Sequence, residues 1–255
     1  MVEIWKLLLY QPIINAIIFL YRVLFSDLGL AIIALTSIIR IILIPLTTPQ
    51  LKSAKKMQEI APELDKLKKK FKDDKQKLMQ AQMELYKKNG INPASGCLPQ
   101  IIQMVILITL YQAFSQVIKP DGIKAINEIL YSFNQNYTHP INFNFLYLNL
   151  SKPDVIPLSS SLKIPGLFVI MATLFQYLSS KIMVPSIKKE EKIAEKTEQK
   201  SDDMSLALQK QMMYMFPAMT LIFGYSMPSG VMLYWFVFSL FSYIQQIIIN
   251  RKNER

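Results

Sequence analysis

The sequence predicts an all-α polytopic membrane protein: a five-helix transmembrane core, an N-terminal interfacial amphipathic helix and a cytoplasmic two-helix hairpin. Three observations carry this expectation. The 255 residues are 51% hydrophobic yet 18% charged, and the two kinds are segregated into long apolar runs and charge-dense stretches. Five runs, at 28–46, 97–118, 164–184, 212–227 and 229–249, reach or approach the roughly 20 residues that cross a bilayer. The first of them, LGLAIIALTSIIRIILIPL, holds one charge, Arg40.

Taken in order, residues 1–26 form the interfacial helix. Gln11, Asn15 and Arg22 fall on one face, and Trp5, Tyr10 and Tyr21 are placed to anchor it at a membrane surface. Pro12 interrupts it. Hydropathy also admits a tilted sixth span, which would put the N-terminus inside. Residues 27–48 are the first transmembrane helix. Residues 49–92 are the basic hairpin: Leu51, Ala54, Ile60, Leu64, Leu67 and Phe71 recur near helical spacing, Pro62 weakens this first helix, and Lys72 to Lys75 turn into a second helix that Asn89, Gly90 and Pro93 terminate. So few apolar positions predict a mobile arm without a core of its own. Its lysines, Lys55, Lys56, Lys68, Lys69 and Lys70 foremost, suit transient contact with clients, lipid headgroups or targeting factors; the alternative is solvated basic sequence with no partner.

The second span covers 95–118 and carries the one cysteine, Cys97, so no internal disulfide is available. No lipobox or cleavable signal peptide is evident. Residues 119–162 are an external loop, partly helical between Gly122 and Phe133, with the one histidine, His139. The third span is 163–184, the charge-dense 185–211 is a cytoplasmic linker, and 212–227 and 229–249 are the fourth and fifth spans, followed by a tail at 250–255. Orientation follows from the lysines. Twelve lie between Pro49 and Asn92, against Lys119, Lys124 and Lys152 in the external loop, and Lys and Arg favour the cytoplasmic side. Five spans then leave the N-terminus outside and the C-terminus in the cytoplasm.

Arg40 is the strongest site candidate. A guanidinium at membrane depth costs about 2.5–3.5 kcal/mol on insertion scales, so it faces a wet or polar interior unless it snorkels to the nearer interface. At a rise of about 1.5 Å per residue it sits roughly 9 Å from the Leu46 end. Other polar residues share faces: Thr36 with Arg40, Gln100 with Gln103, Thr173 with Gln176 and Ser180, and Trp235 with Ser239, Ser242, Gln245 and Gln246. The simplest assembly of these residues is a hydrated pocket around Arg40, with Thr36, Gln103, Gln176 and Trp235 foremost in its lining; ordinary interhelical hydrogen bonding accounts for the Ser and Thr residues equally well. It accounts poorly for Arg40, because the spans hold no acid to neutralise it.

The absences narrow the class. No GxxxxGK[ST], HExxH or GxSxG motif occurs, no carboxylate lies within a span, and one histidine with one cysteine makes no zinc site. Neither an enzyme nor a cofactor is expected. The net charge of +11 belongs to membrane orientation rather than to specific nucleic-acid binding.

DLGLAIIALTSIIRIILIPL, the lysine-rich hairpin, INPASGCLPQIIQ, FPAM at Phe216 and PSGVMLYW ending at Trp235, then Gln245 and Gln246, occur in that order. Together they resemble the YidC-type membrane protein insertase family of the Oxa/YidC superfamily, in a short form without a large extracytoplasmic domain. The resemblance implies a hydrophilic groove, open to the cytoplasm and to lipid, centred on Arg40. It adds Ser179 at a usual groove glutamine position, with Gln176 one turn earlier as partial substitute. Val105 and Ser239 depart from the proline and asparagine common at those places. The implied function is insertion of nascent hydrophobic segments, released sideways into a bacterial plasma membrane. The implied partners are membrane protein clients and the lipid bilayer, with the ribosome, the signal recognition pathway and the Sec translocon as further candidates. A small-solute or anion transporter, or a structural membrane assembly factor, are the rival classes.

Overall fold

The computed structural model describes residues 5–71, 74–91, 98–119, 121–134, 138–159, 163–183 and 214–252, without the side chains of 54, 58, 65, 68, 75, 98–101 and 252. Cys97, Pro93 and the 185–211 linker lie outside the described residues. Helix α1, Lys6–Val23, opens with a π-helical turn, Lys6–Tyr10, in which the Gln11 N–H donates to the Lys6 carbonyl. Pro12 enters at the start of the following α-helical segment, Gln11–Val23, where the wider turn accommodates a residue without an N–H. The expected interruption at Pro12 is therefore absent; the helix runs through it.

Phe25 and Ser26 take left-handed backbone, at φ 56° and 54°, and the Ser26 N–H closes α1 by donating to the Tyr21 carbonyl at 2.9 Å. Asp27 then caps α2 by accepting from the Leu30 N–H at 2.9 Å. Helix α2, Leu28–Glu59, has 32 residues, about 48 Å of rise, longer than the hydrocarbon core of about 30 Å. Pro45 and Pro49 lie inside it. The Thr47 hydroxyl donates to the Leu43 carbonyl at 3.0 Å, the kind of side-chain bond that keeps a proline-bearing membrane helix satisfied. Where the sequence suggested a span ending at 48 and a separate hairpin helix, the backbone is continuous. The break comes at Ile60, and Pro62 serves as a helix-starting residue of α3, Ala61–Lys70.

Helix α4, Lys75–Lys88, is capped by Asp74, which accepts from the Lys77 N–H at 3.0 Å. Asn89 and Gly90 end it, Gly90 at φ 61°. Ile60, Leu85 and Ile91 are buried together, with Met57, Leu64, Leu67 and Tyr86 packed around them. The hairpin thus has a small apolar core, which the sequence reading did not foresee because Ile91 lies beyond the helical pattern.

Helix α5, Leu98–Val117, leads to the short α6, Gly122–Asn127, a 3-10 turn at Ser132–Asn134, and two antiparallel hairpins: β1, Asn144–Phe145, with β2, Leu148–Asn149, and β3, Val155–Pro157, with β4, Lys163–Pro165. Strands of two or three residues are too short for an alternating pattern, so this region read as irregular loop. It is pinned to α7, Leu167–Met183, by Asp154. That carboxylate, 1% exposed, accepts from the Phe168 and Val169 N–H groups at 2.9 and 3.3 Å and from the Tyr147 hydroxyl at 3.2 Å. Helix α8, Tyr214–Gly224, and α9, Ser229–Lys252, complete the fold.

Helix α9 is central, packing most extensively against α7 and α2. The main core joins α1, α2, α5, the loop and α9 through residues such as Ile14, Ile32, Leu110, Leu150 and Leu233, while Val169, Ala172 and Met232 form a second core between α7 and α9. A Cβ at Gly230 would collide with the Phe114 ring, so glycine permits the close approach of α9 to α5. Among the described residues, Lys6–Val23, Leu28–Met57 and Ser229–Arg251 are long and apolar enough to cross a membrane; Ile102–Val117, Leu167–Ile182 and Tyr214–Gly224 are shorter apolar helices. Ile38, Ile41 and Ile42 on α2 and Ile244 and Ile248 on α9 are exposed, the surface expected where acyl chains replace water. The molecule is an all-α polytopic membrane protein with a small β-containing loop.

Candidate functional site

Arg40 projects from α2 into the seam with α9 and is 8% exposed. One terminal nitrogen donates to the Ser242 hydroxyl at 3.0 Å and to the Gln245 Oε1 at 3.2 Å, while the guanidinium lies over the Phe238 ring, 4.5 Å from its centroid. Gln245 is itself oriented, its Nε2 donating to the Thr47 and Thr48 hydroxyls at 2.9 and 3.3 Å. The Ser242 hydroxyl itself donates to the Phe238 carbonyl at 3.0 Å. A guanidinium has five N–H donors; the terminal nitrogen that bonds α9 accounts for two. Among the described residues no carboxylate pairs with Arg40, so its charge is met by neutral dipoles and a ring face.

An open pocket of about 500 Å³ lies on this seam. Arg40, Thr48, Lys52 and Gln245 supply its polar groups, and Ile44, Phe241, Ile244, Ile248 and Ile249 its apolar walls. Arg40, Ile44, Thr48 and Lys52 advance in steps of four, one ridge of a helix surface. Close by in sequence, Gln50 Oε1, Ser53 Oγ and Gln246 Oε1 are buried without a hydrogen-bond partner among the described residues. Buried polar groups left by the protein in this way are usually met by water.

The other predicted residues lie in two further places. Gln103 is buried in the α5–α9 seam, where its Oε1 accepts from the Tyr234 hydroxyl at 3.1 Å, and its Nε2 has no partner among the described residues. The Tyr234 ring packs against that of Phe238, over which the Arg40 guanidinium lies, so Gln103 is connected to the arginine through two side chains. Gln176 accepts a hydrogen bond from Thr220 on α8, which ties α7 to α8 away from Arg40, and the buried Ser179 hydroxyl has no partner among the described residues. Trp235 is partly buried, packed on both cores. Thr36 is 1% exposed, and its hydroxyl donates to the Ile32 carbonyl, which removes it from the pocket. Lys56, Lys69 and Lys70 are exposed and Lys55 half-exposed, with Lys70 against the Phe71 ring; the Lys68 side chain lies outside the described residues.

Ser242 and Gln245 belong to the polar set that shared-face spacing gathers around Arg40, though not to its foremost groove residues, whereas Thr47, Thr48 and Phe238 are absent from that set. The available signal was spacing: Thr47 and Thr48 follow Arg40 by two helical turns on its own face. Phe238 carried none, since an aromatic within an apolar helix reads as packing.

Fold and seam together define a helical membrane protein with a polar pocket around an arginine that meets no carboxylate among the described residues. Residues 19–255 match the family model described as 60Kd inner membrane protein, and the chain belongs to that family. It is 34% identical to the membrane protein insertase YidC of Fusobacterium nucleatum over 89% of this chain and 88% of that protein. It is 32% identical to the one from Oceanobacillus iheyensis over 97% and 84%, and 33% identical to YidC 1 of Listeria monocytogenes over 91% and 69%.

Proposed function

We propose that this protein is a plasma membrane insertase that receives the polar end of a nascent hydrophobic segment in the Arg40 pocket and releases the segment sideways into lipid. The observation that carries this reading is Arg40 itself: a cation at membrane depth, held by neutral partners from α9, at the head of a pocket whose walls include the exposed Ile44, Ile244 and Ile248. In low dielectric such a charge attracts an acidic residue far more strongly than it would in water. A pocket that admits water also shortens the apolar distance a polar tail must cross. Burial of about 20 apolar client residues supplies the driving force, so the process needs neither nucleotide nor covalent chemistry.

The lysine-rich hairpin and C-terminal tail face the cytoplasm in this reading, with the N-terminus outside and Arg40 reached from the cytoplasmic side. Helix α1 lies on the outer surface rather than spanning. Asn15 supports this placement: it is 2% exposed, donates to the Ile129 carbonyl at 3.1 Å and accepts from the Tyr131 N–H at 2.7 Å. Arg22 donates to the Asn134 carbonyl at 2.8 Å. The polar face of α1 is thus hydrogen-bonded to the loop through Asn15 and Arg22, and both belong at one depth. Helices α2, α5, α7, α8 and α9 form the five-helix core, and the hairpin is the receiving arm for clients and for ribosomal, signal recognition or Sec partners. The test is purified protein in liposomes. Protease-protected insertion of a single-spanning client is expected; solute or anion flux without insertion would favour a transporter, and client binding without insertion an assembly factor.

A further inference from the structure

The pocket presents two cations, Arg40 and Lys52, with no acid in its lining. We propose that between clients it holds one anionic phospholipid drawn from the surrounding leaflet. Its phosphodiester is met by Lys52, the Thr48 hydroxyl and the remaining N–H groups of Arg40, and an acyl chain lies along Ile44, Ile244 and Ile248. The Arg40-to-Lys52 ridge runs about 18 Å along α2, so the site extends from membrane depth towards the headgroup layer in the direction that a lipid itself extends. Its walls open sideways: Ile44, Ile244 and Ile248 are 43%, 45% and 53% exposed, which gives acyl chains direct access. The volume of about 500 Å³ lies within the usual range of ligand pockets. Basic pockets between membrane helices select anionic headgroups, because a zwitterionic headgroup carries its own cation beside the phosphate. The inference rests on the proposed reading only in taking α2 and α9 as spans with the hairpin on the cytoplasmic side; it does not require insertion activity.

The test is lipid retention by the purified full-length protein. Micelles are loaded with equal phosphatidylglycerol and phosphatidylcholine of matched chains, and retained lipid is counted by native mass spectrometry. Preferential retention of phosphatidylglycerol by about fivefold or more is expected, and Lys52→Ala should lower that preference about fivefold. Ile248→Trp, which fills the apolar wall, should reduce retention of both lipids. Lys181→Ala, exposed on α7 and outside the lining, should change nothing. Equal retention of the two lipids by the wild type, or an unchanged preference in Lys52→Ala, would overturn the proposal. Displacement by excess inorganic phosphate alone would also overturn it, in favour of a simple anion site. A 20-residue apolar peptide with an acidic tail should displace the lipid; failure to do so would contradict a shared pocket. A protein that retains lipid as expected yet inserts no client would sink the insertase reading and leave the lipid site standing.

Discussion

At the scale of single residues, Arg40 combines roles that a substitution can separate. Arg40→Ala removes the charge but leaves Ser242 bonded to the Phe238 carbonyl and Gln245 bonded to Thr47 and Thr48, so the seam should survive at a cost of about 1–2 kcal/mol. Insertion of clients with acidic translocated tails should fall several-fold, while that of neutral-tailed clients changes little. Arg40→Lys keeps a cation able to reach one α9 acceptor and should retain much of the activity. Equal insertion rates for acidic-tailed clients in wild type and Arg40→Ala, at matched protein levels, would remove the electrostatic role. Asp154 is the structural counterpart. Asp154→Ala strips the acceptor from the Phe168 and Val169 N–H groups at the start of α7 and should cost about 2 kcal/mol or more, read as a lower Tm. Partial burial, reinforced by the Asp154 charge, pushes the Tyr147 hydroxyl up to about 12. The folded state therefore holds that proton more tightly. Its contribution is full below about pH 10 and lost as pH rises through about 12, and a Tyr147→Phe variant should lack that alkaline step in stability.

At the scale of elements, apolar length and lysine placement made the helices and the hairpin legible, while contacts between distant segments were not. Periodicity showed the polar stripe on α1 but not its partner, because backbone carbonyls of the loop leave no mark in a sequence. Asn15→Ala should loosen this clasp by about 2–3 kcal/mol, leaving the Tyr131 N–H without its partner, and protease should then nick residues 121–140 faster. An unchanged cleavage rate would show that the clasp does not hold the loop. The hairpin is likewise more ordered than its sparse apolar pattern suggested, since Ile91 folds back onto Ile60 and Leu85. Leu85→Asp should open α3 and α4 to protease while the spans stay assembled. Replacing residues 55–87 with a flexible linker should impair insertion. Unchanged insertion in that deletion would reduce the arm to a topology signal.

At the scale of the whole molecule, the fold class was legible because a bilayer demands long apolar helices, and Arg40 stood out because a lone charge there is costly. The rest of the site depends on how α2 and α9 pack, and spacing alone grouped residues that the fold separates: Thr36 closes on its own helix, and Gln176 turns to Thr220. Single cysteines at 40, 48 and 245, in a chain lacking Cys97, should therefore label from the cytoplasmic face, while 36 and 103 stay protected. Labelling from both faces would indicate a through-channel. The central claim is that the Arg40 pocket receives the client, and photo-crosslinking tests it most directly. A photoreactive residue is placed at Thr48 or Ile248, facing the pocket, or at Ile42, exposed on α2 but outside the pocket lining, and a ribosome-stalled client is presented with its apolar segment half inserted. The account predicts strong client adducts from 48 and 248 that disappear when the client is released, with lipid adducts dominating at 42. Equal client crosslinking at all three positions, or none at 48 and 248, would contradict it.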